Sequence, residues 1–515
     1  AGIWAMSKKH ISRFSTGFTR SRAGDTTDEL KDKCGVIGIY LSNHDDSASR
    51  LAYYGLQSLQ HRGQESTGLA VSDGTNVEHF RALGLVSEVY NKDVLGSLKG
   101  HIAIGHVLYS TCGKAVIENA QPFVSRSKLG TIAVAHNGSL VNYEPMKEFL
   151  EETGSTFTST SDSEVIIKLI AKNYKKGLDR ALTDTIQLIR GSFALCVMTE
   201  KVLIGARDPN GIRPLCLGKV DNGWVLASES CAIDAIGGEL VRDIAPGEIV
   251  IINDDGVLSF NFGEKTSKKT CVFEYVYFAR PDTIMDGIPV LEARKKMGEV
   301  LARESGVVAD VVIGVPDSGL GAALGYSKAS GIPYAMGIVK NKYIGRTFIA
   351  PSQEEREAMV FVKLNAVKSD IQGKRVVIID DSIVRGTTSR RLIQILRKSG
   401  AKEVHFRISS PPVKFPCYFG IDTPARADLI SAQHETEEIR KAIGADSLAF
   451  ISMEGMIEAL QSCEWEEGLV EEYPDRGQRA AKGSISPNGA SNCGYCQGCF
   501  LGEYPMPMIG ELGKR

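Results

Sequence analysis

The stretch RVVIIDDSIVRGTTSRR, residues 375–391, decides the fold of the half of the chain in which it lies. The apolar residues at its start predict a buried strand, and the residues at its end predict a helix. ADVVIGVP followed by GLGAALGYSKASG repeats the pattern before it, and EVHFRIS predicts a further strand after it. Strands that alternate with helices are typical of βαβ units. We therefore predict a parallel sheet covered by helices.

Two adjacent acids, Asp380 and Asp381, follow the predicted strand, and a turn rich in hydroxyl groups leads into the helix. Exposed main-chain N–H groups at the carboxyl end of a parallel strand, together with the next helix N-terminus, form a site for phosphate. The paired carboxylates suit ribose hydroxyls or Mg²⁺, which takes oxygen ligands. The alternative is an ordinary loop whose Asp and Thr side chains cap a helix.

The composition of the 515-residue chain limits its classes of function. The chain is longer than the size at which a single hydrophobic core stops growing, so we expect two or more domains. A formal net charge of -2 gives no global attraction to nucleic acid, which makes nucleic acid a poor candidate partner. Because no apolar run is long enough to cross a bilayer, we expect no membrane segment.

Residues 34–262 differ from the later part of the chain, because short alternating apolar runs are separated there by Gly and Asn turns. Two stretches with helical spacing interrupt the runs, ASRLAYYGLQSLQHRG and SDSEVIIKLIAKNY. Strands grouped beside helices predict an α+β domain with stacked antiparallel sheets. The polar segment NFGEKTSKKT at 261–270 marks the predicted domain boundary, and DRGQRAAKGSISPNGASN predicts a linker.

Cys34 opens the first apolar run and follows a polar stretch in which residues 1–22 carry basic but no acidic side chains. This stretch indicates either an organelle transit segment or a disordered cytosolic leader. A free Cys at the start of a strand is often a small packing residue. If the chain is cut before Cys34, however, its free α-amino group can act as a base toward its own thiol.

The stretch around the paired acids resembles the phosphoribosyltransferases that bind 5-phosphoribosyl 1-pyrophosphate. The resemblance implies that the acids hold the ribose hydroxyls and that the loop after them binds the 5-phosphate. VPDSG at 315–319 resembles the loop of the metal and pyrophosphate region, and KNKYIGRTFI at 340–349 resembles the mobile loop that closes over pyrophosphate. The implied substrate-binding residues are Lys340, Lys342, Arg346, Asp380, Asp381, Ser382, Arg385, Gly386, Thr387 and Thr388. The implied Mg²⁺ ligands are Ser318, Asp380 and Asp381.

The strand at Cys34 and four later motifs resemble the N-terminal-nucleophile glutamine amidotransferases. The motifs are LQHRGQES at 59–66, GHVLYSTCG at 105–113, AHNGSL at 135–140 and STSDSE at 159–164. The resemblance makes Cys34 the nucleophile, with Asn137 and the N–H of Gly138 as the oxyanion hole. It also implies two glutamine-binding residues: Asp162 at the α-amino group, and Arg62 next to the nucleophile.

Leu108 departs from the pattern of this family, which usually has Arg there to bind the α-carboxylate of glutamine. Leucine offers no charged, bidentate contact. Either another cation substitutes, or glutamine binds weakly and ammonia becomes the practical nitrogen source. His61, His106 and His136 lie near the motifs, and we interpret them as structural histidines.

The order of the two resemblances, amidotransferase first and phosphoribosyltransferase second, is similar to that of the amidotransferase family that begins purine synthesis. The implied fold is a two-domain α+β and α/β architecture, an N-terminal-nucleophile αββα sandwich followed by a parallel-sheet phosphoribosyltransferase domain. The predicted divisions are a leader at 1–33, the amidotransferase domain at 34–265, the phosphoribosyltransferase domain at 270–470, and a linker with a C-terminal tail at 471–515.

The implied reaction forms 5-phosphoribosylamine, pyrophosphate and glutamate from 5-phosphoribosyl 1-pyrophosphate, glutamine and water. The alternatives are a variant that uses mainly ammonia, and a non-catalytic regulator that senses phosphoribosyl pyrophosphate or nucleotides. An asparagine synthetase or a sugar-phosphate aminotransferase would not need the IIDDSIVRGTT site. The resemblance further implies purine-nucleotide inhibitors and a homotetramer. We expect a cytoplasmic location unless the leader directs the chain to an organelle.

The eleven cysteines do not have the pattern of a disulfide framework, because they are odd in number and scattered. One stretch is not scattered: NCGYCQGCF has three cysteines with the spacing C-x-x-C-x-x-C. A set of four thiolates can hold Zn²⁺ or an iron–sulfur cluster. The family resemblance implies a [4Fe–4S] cluster on Cys271, Cys417, Cys496 and Cys499, with Cys493 as a surplus thiol. We interpret the others as packing residues: Cys112, Cys196, Cys216, Cys231 and Cys463.

Overall fold

The computed structural model describes residues 31–32, 34–109, 116–262, 266–341, 364–463 and 493–508. Within these ranges, no helix is long and apolar enough to cross a membrane. The predicted leader lies outside them except for a two-residue strand, β1 (Lys31–Asp32), and the predicted linker lies outside them entirely.

Residues 34–261 contain the strands of two antiparallel sheets. These strands are β2 (Cys34–Leu41), β3 (Ser66–Ser72), β4 (Val77–Leu83), β5 (Ile102–Leu108), β6 (Phe123–Ser127), β7 (Gly130–Leu140), β8 (Gly191–Met198), β9 (Leu203–Arg207), β10 (Cys216–Val220), β11 (Gly223–Ala227), β12 (Glu239–Asp243), β13 (Glu248–Asn253) and β14 (Gly256–Asn261). The first sheet has the order β12-β10-β11-β2-β5-β3-β4, and the second has the order β14-β13-β9-β8-β7-β6. The strand that begins at Cys34 therefore lies in the middle of the first sheet.

The helices of this part include both predicted stretches, which form α1 and α5. The helices are α1 (Ala48–Ser58), α2 (Val86–Val89), α3 (Lys92–Ser97), α4 (Tyr143–Glu152), α5 (Asp162–Asn173), α6 (Leu178–Leu188) and α7 (Ser230–Asp234). α5 begins where the Ser161 hydroxyl accepts a hydrogen bond from the Ser163 N–H, as its sequence predicts. The sequence analysis did not predict α4 and α6, because these short amphipathic segments lie among the Gly and Asn turns of a strand-rich region.

Strand alternation divides the apolar residues of this part among three layers of core. Val36 and Tyr40 of β2 pack with Ala133 and Ala135 of β7 in the core between the sheets. Ile37 and its neighbours of the opposite face pack against α1, whereas the outer face of the second sheet packs against α5 and α6. Helix, sheet, sheet and helix follow one another, which confirms the predicted αββα sandwich.

The second part of the chain contains a parallel sheet with helices on both faces. Its strands are β15 (Thr270–Cys271), β16 (Ile284–Met285), β17 (Ile288–Pro289), β18 (Val311–Gly314), β19 (Ile338–Lys340), β20 (Leu364–Ala366), β21 (Arg375–Asp380), β22 (Glu403–Ile408), β23 (Ile421–Asp422), β24 (Ser447–Phe450) and β25 (Tyr495–Cys496). Its helices are a π-helix (Glu274–Phe278), α8 (Val290–Glu304), α9 (Gly319–Ser330), α10 (Lys368–Ile371), α11 (Thr387–Lys398), α12 (Ile430–Gln433), α13 (Thr436–Ile443), α14 (Met453–Gln461) and α15 (Gly498–Leu501).

Four parallel strands in the order β18-β21-β22-β24 form this sheet, which confirms the predicted βαβ arrangement. α8, α9 and α14 pack on one face, and α11 and α13 pack on the other. The predicted strand PYAMGIV differs from the expectation. Tyr334 makes a single parallel bridge to Val312, and only the end of the segment, Ile338 and Val339, lies in β19, which pairs antiparallel with β20 outside the main sheet.

Residues from distant parts of the chain meet between the two halves. β15 and β25 form a parallel pair in which Cys271 lies opposite Cys496, so the C-terminal residues pack on the segment that follows the first sandwich. β1 pairs with β23 of the second half. The predicted domain boundaries stay predictions, although no strand of either sandwich sheet extends beyond Asn261.

Candidate active site

Cys34 begins the central strand of the first sheet, and its side chain is 5 % exposed. Because Val36 of the same strand belongs to the core between the sheets, alternation directs the Cys34 side chain to the same face. Leu108 is its antiparallel partner on β5, and Ser66 is the partner of Leu108 on β3. These three side chains therefore form a row that faces the gap between the two sheets.

Asn137 faces this gap from the second sheet, because Ala133 and Ala135 of the same strand line the inter-sheet core. Its side chain is fully buried, and neither Oδ1 nor Nδ2 has a hydrogen-bond partner among the described residues. The buried Ser66 hydroxyl also has none within the described ranges. An unsatisfied buried polar group costs about 1–3 kcal/mol, so such a pair in one gap needs an explanation. A polar substrate in the gap provides one.

Gly138 follows Asn137 on β7, and Asp162 contacts the same strand at Leu140 and near His136. Gly138 has a φ of 150°, and a Cβ added to it would lie 2.1 Å from the Ser192 carbonyl oxygen, so only glycine fits. Asp162 is the first residue of α5, and its Oδ2 accepts a hydrogen bond of 2.8 Å from the Leu140 N–H of β7. The acid predicted to hold the α-amino group is thus fixed to the same strand as the predicted oxyanion hole.

Arg62 ends a short 3-10 turn after α1 and is 1 % exposed. Its guanidinium pairs with Glu229, and Nη2 lies 2.6 Å from Glu274 Oε2. Glu274 also accepts a hydrogen bond of 2.9 Å from Arg213. Burial alone would raise the pKa of Glu229, but the charges of Arg62 and His61 hold that pKa well below its usual range. These contacts tie the first sheet to the π-helix, and the contact of Arg62 with glutamine stays a prediction.

The three histidines near the motifs make hydrogen bonds within the protein, which agrees with a structural interpretation. His61 Nε2 donates to Glu229 Oε1 over 2.7 Å. His106 Nε2 donates to the His136 carbonyl oxygen over 3.1 Å, and burial lowers the pKa of His106 to about 3. His136 Nδ1 lies 3.0 Å from the Ser163 hydroxyl oxygen.

Asp380 and Asp381 lie at the carboxyl edge of the parallel sheet, at the end of β21, and both are buried. The two carboxylate oxygens of Asp381 each accept a hydrogen bond of 2.6 Å, one from the Ser318 hydroxyl and one from the Ser382 hydroxyl. Burial raises the pKa of Asp381, although these two hydrogen bonds act in the opposite direction. The structure therefore brings together residues from two predicted loops around one carboxyl group.

The turn after the acids leads directly into α11. Gly386 precedes the helix with a φ of 79°, and Thr387 and Thr388 form its first turn. The helix N-terminus therefore lies next to the paired acids, where main-chain N–H groups favour a bound anion. This is the arrangement that the sequence predicts for a phosphate loop, with Arg385 beside it.

Lys340 connects two of the predicted loops, because its Nζ lies 2.7 Å from Asp317 Oδ2 in VPDSG. Both side chains are exposed. Lys342 and Arg346 lie outside the described residues, as does Cys112.

Arg294 is a residue that the sequence analysis missed. It is 4 % exposed on α8 and donates hydrogen bonds to three carbonyls of the preceding segment, those of Tyr275, Tyr277 and Ala279. Burial lowers its pKa to about 10, while the charge of Asp381 acts in the opposite direction. The only signal in the sequence is that Arg294 stands among the apolar positions of the segment that forms α8. Glu229 and Glu274 were also missed. Glu274 lies between two aromatic residues, whereas Glu229 lies between Ser228 and Ser230 and gives no local signal.

The four cysteines predicted to bind a cluster converge from three distant segments. Cys271 pairs with Cys496 in the β15–β25 ladder, and the Cys499 carbonyl accepts hydrogen bonds from the main chain of residues 414 and 415, close to Cys417. Burial raises the pKa of the Cys271, Cys496 and Cys499 thiols, and neighbouring thiols of this set raise them further. The thiols therefore lie within electrostatic range of one another.

Two further observations concern metal binding. Cys493 has a contact of its own, since its Sγ accepts a hydrogen bond of 2.8 Å from the Gln497 side chain. In the part of the chain that the structure describes, no group of three or more His, Cys, Asp or Glu side chains is spaced for a single metal ion. The predicted packing cysteines at 196, 216, 231 and 463 are all buried.

Comparisons with known proteins agree with this geometry. A family profile described as a glutamine amidotransferase domain matches residues 110–235, and one described as a phosphoribosyl transferase domain matches residues 293–409. An amidophosphoribosyltransferase of Archaeoglobus fulgidus is 49 % identical over 482 residues, which cover 93 % of this chain and 99 % of that relative. The amidophosphoribosyltransferase of Bacillus subtilis is 46 % identical over 477 residues, which cover 92 % and 94 %.

Two solved structures are also similar, each with 46 % sequence identity over 92 % of this chain. One is described as the allosteric regulatory enzyme of purine biosynthesis, with a TM-score of 0.83 and 97 % of its own length covered. The other is glutamine phosphoribosylpyrophosphate amidotransferase from B. subtilis in complex with ADP and GMP, with a TM-score of 0.82 and 98 % covered.

Proposed function

Since the chain belongs to the amidophosphoribosyltransferase family, we propose that Cys34, once its α-amino group is free, is the nucleophile toward glutamine. The family reaction transfers the amide nitrogen of glutamine to 5-phosphoribosyl 1-pyrophosphate in purine biosynthesis. One observation carries the assignment of the glutamine site: a fully buried Asn137 amide, without hydrogen-bond partners among the described residues, faces the gap into which the Cys34 thiol points.

The first half-reaction follows from the groups that face this gap. The α-amino group of Cys34 takes the thiol proton, and the thiolate attacks the carboxamide carbon of glutamine. Asn137 Nδ2 and the Gly138 N–H donate hydrogen bonds to the oxyanion. The ammonium form of the terminal amine returns the proton to the leaving nitrogen, so ammonia departs and a thioester remains. Water then hydrolyses the thioester to glutamate.

The second half-reaction belongs to the edge of the parallel sheet. We assign Asp380 and Asp381 to the ribose hydroxyls, and the N-terminal turn of α11 to the 5-phosphate. As pyrophosphate departs, C1 gains positive charge, and ammonia adds to it. The oxygen donors of Ser318, Asp380 and Asp381 fit Mg²⁺, which when bound would stabilise the charge of the leaving pyrophosphate. Lys340 lies beside this donor set and supplies a further positive charge.

A [4Fe–4S] cluster on Cys271, Cys417, Cys496 and Cys499 is part of the proposal. Its support is the convergence of the four thiols from three segments: Cys271 lies opposite Cys496 in the β15–β25 ladder, and the Cys499 carbonyl binds the main chain of residues 414 and 415, close to Cys417. Four thiolates placed in this way could hold the cluster. Iron and sulfide analysis of anaerobically purified protein tests it. Cys417→Ser should lose the iron, and Cys493→Ser, the matched control, should keep it. Equal iron in both variants would refute this ligand set.

We also propose that purine nucleotides bind this chain and inhibit it, because a solved relative at 46 % identity contains ADP and GMP. The tetramer implied by the family resemblance stays a prediction. Gel filtration with and without GMP, together with inhibition measurements, tests both statements.

The proposed function is tested by assaying the two half-reactions separately on protein whose N-terminus has been sequenced. Chain that starts at Cys34 should release glutamate from glutamine and should release pyrophosphate from phosphoribosyl pyrophosphate with glutamine or ammonia. Chain that still carries residues before Cys34 should use ammonia only. A regulator without catalysis would release neither product, and glutaminase activity in uncut chain would refute the terminal-amine mechanism.

A further inference from the structure

The Gln121 side chain makes the hydrogen bonds to β7 that a main-chain peptide group of β6 would make if the β6–β7 ladder extended this far. In the β6–β7 pair, Phe123 lies opposite Val134, so the pair two positions further along the same register would be Gln121 and His136. The main chain does not make this pair. Instead, the His136 N–H donates to Gln121 Oε1 over 2.7 Å, and Gln121 Nε2 donates to the His136 carbonyl over 3.3 Å. The side-chain amide thus replaces a peptide group.

The main chain of Gln121 is directed toward the other sheet. A Cβ added to Gly68 of β3 would lie 2.1 Å from the Gln121 carbonyl oxygen, so the two main chains are in close contact. Gln121 is 2 % exposed. Its main chain therefore contacts β3 of the sheet that contains Cys34, while its side chain is hydrogen-bonded to β7, the strand that contains Asn137.

His136, to which Gln121 is hydrogen-bonded, directly precedes Asn137 and Gly138, the predicted oxyanion hole. In a strand, the N–H groups of alternate residues point to the same edge. The His136 N–H binds Gln121, and the Leu140 N–H binds Asp162. The Gly138 N–H lies between them on this edge, so its direction depends on how β7 is held at His136.

A second donor acts on the same carbonyl oxygen. His106 Nε2 donates to the His136 oxygen over 3.1 Å from the first sheet. The low pKa of His106, caused by burial, keeps the ring neutral, and its Nδ1 has no hydrogen-bond partner among the described residues. The His136 carbonyl oxygen thus accepts hydrogen bonds from two donors, Gln121 Nε2 and His106 Nε2. Together they fix the orientation of the peptide group between His136 and Asn137.

We propose that Gln121 is a positioning residue for the oxyanion hole, because its side-chain amide fixes the peptide from which Asn137 and Gly138 extend. This inference rests on the proposed function of Cys34 and adds a residue that does not touch the substrate. An error of about 1 Å in the positions of oxyanion donors lowers the rate by up to about 100-fold. Gln121 should therefore control the rate of the chemical step and leave glutamine binding nearly unchanged.

The first test is Gln121→Met in chain that starts at Cys34. Methionine keeps the length of the side chain and removes both hydrogen bonds. We expect kcat for glutamine hydrolysis to fall roughly 10- to 100-fold, with KM for glutamine within about threefold of the wild-type value. Ammonia-dependent synthesis should be unchanged, which shows that the protein is folded. A glutamate γ-aldehyde, which forms a hemithioacetal with Cys34, should lose affinity relative to glutamate.

The second test is Gln121→Glu. A protonated carboxyl group has one donor and one acceptor, which can replace the one donor and one acceptor that the amide uses here, whereas the ionised form only accepts. Glutamine hydrolysis by this variant, divided by that of the wild type at the same pH, should rise as the pH falls. The same ratio for Gln121→Met should stay flat. The titratable or charged side chains around this position include those of His106, His136 and Arg81. Asp162 lies 3.8 Å from His136, and Glu118 and Glu164 interact electrostatically with Arg81.

Asn142→Asp is the matched control. The Asn142 side-chain amide also makes two hydrogen bonds to a main-chain segment: it accepts one from the Arg190 N–H over 2.8 Å and donates one to the Leu188 carbonyl over 2.9 Å. It should lower stability and keep the wild-type kcat. A wild-type kcat in Gln121→Met, or an equal loss of glutamine and ammonia activities, overturns the inference. A wild-type protein that starts at Cys34 and does not hydrolyse glutamine overturns the proposed function and the inference with it.

Discussion

The two catalytic regions of the molecule are held in different ways. In the amidotransferase half, Cys34, Leu108 and Asn137 lie on strands of two sheets that face each other, so register and alternation place them. In the phosphoribosyltransferase half, Asp381 and Ser318 lie on loops at the edge of one sheet, and hydrogen bonds between loops place them. The first site is thus fixed by the core, and the second by contacts that a bound substrate can rearrange.

This difference predicts that the two half-reactions can be separated by mutation. A change on an inward-facing strand position should affect glutamine chemistry alone, whereas a change in the acidic loop should affect synthesis from either nitrogen source. The following substitutions test that separation.

Cys34→Ala should give the largest effect, because it removes the proposed nucleophile. Glutamine-dependent synthesis and glutamine hydrolysis should fall more than about 10³-fold, with ammonia-dependent synthesis unchanged. Separate assays of glutamate and pyrophosphate measure this. Cys196→Ala is the control, since it removes a buried thiol that packs between the sheets of the same half. Loss of ammonia-dependent synthesis in Cys34→Ala would show that the halves are not separable.

Replacing both acids, Asp380→Asn with Asp381→Asn, should lower synthesis from glutamine and from ammonia by roughly 10²- to 10³-fold, because neither ribose hydroxyls nor a cation find carboxylates there. Glutamine hydrolysis measured without phosphoribosyl pyrophosphate should stay within a few-fold of wild type. The control is Asp310→Asn, an exposed acid paired with Arg375 at the opposite end of the same sheet. Normal pyrophosphate release by the double variant would contradict the assignment.

Glu229→Gln tests the buried ion pairs that join the two halves. The free energy of unfolding at pH 7 should fall by about 2–3 kcal/mol, because the Arg62 guanidinium loses a charged, hydrogen-bonded partner. The folded pKa of Glu229 lies below its usual range, so its contribution is present above about pH 4.3 and is lost as the pH falls. The difference between variant and wild type, measured by urea unfolding, should shrink accordingly.

The control for that measurement is Glu458→Gln, which removes an exposed pair with Arg303. Exposed pairs contribute about 0–1 kcal/mol, so little change is expected. A Glu229→Gln variant as stable as this control would show that the buried network does not stabilise the junction.

Leu108→Arg should have the smallest effect and changes substrate affinity alone. Leu108 lies opposite Cys34 on the same face, so an Arg there can reach the α-carboxylate of a bound glutamine. Its charge-assisted hydrogen bonds should lower KM for glutamine about tenfold. Leu108→Met, which adds no charge, should not. An unchanged KM in Leu108→Arg would show that another group already binds the α-carboxylate.

The parallel sheet and the stacked antiparallel sheets could be predicted from the sequence because strand and helix periods are local properties, whereas the αββα order was implied by the family resemblance. The loop at Asp380 could be predicted because acids, glycine and threonines follow one strand in order. The network of Arg62, Glu229 and Glu274 could not, since its members lie up to 212 residues apart and only the tertiary fold shows their contact. Gln121 was missed for a similar reason, because an amide that imitates a peptide group leaves no pattern in the chain.

The pairing of Tyr495–Cys496 with Thr270–Cys271 bears on the order in which the molecule is made. Residue 271 is synthesised more than two hundred residues before its ladder partner, Cys496. Until residues 495–496 have been made, the edge at Thr270–Cys271 lacks the strand that completes it. A chain truncated before residue 493 would therefore expose this edge, and exposed strand edges favour aggregation.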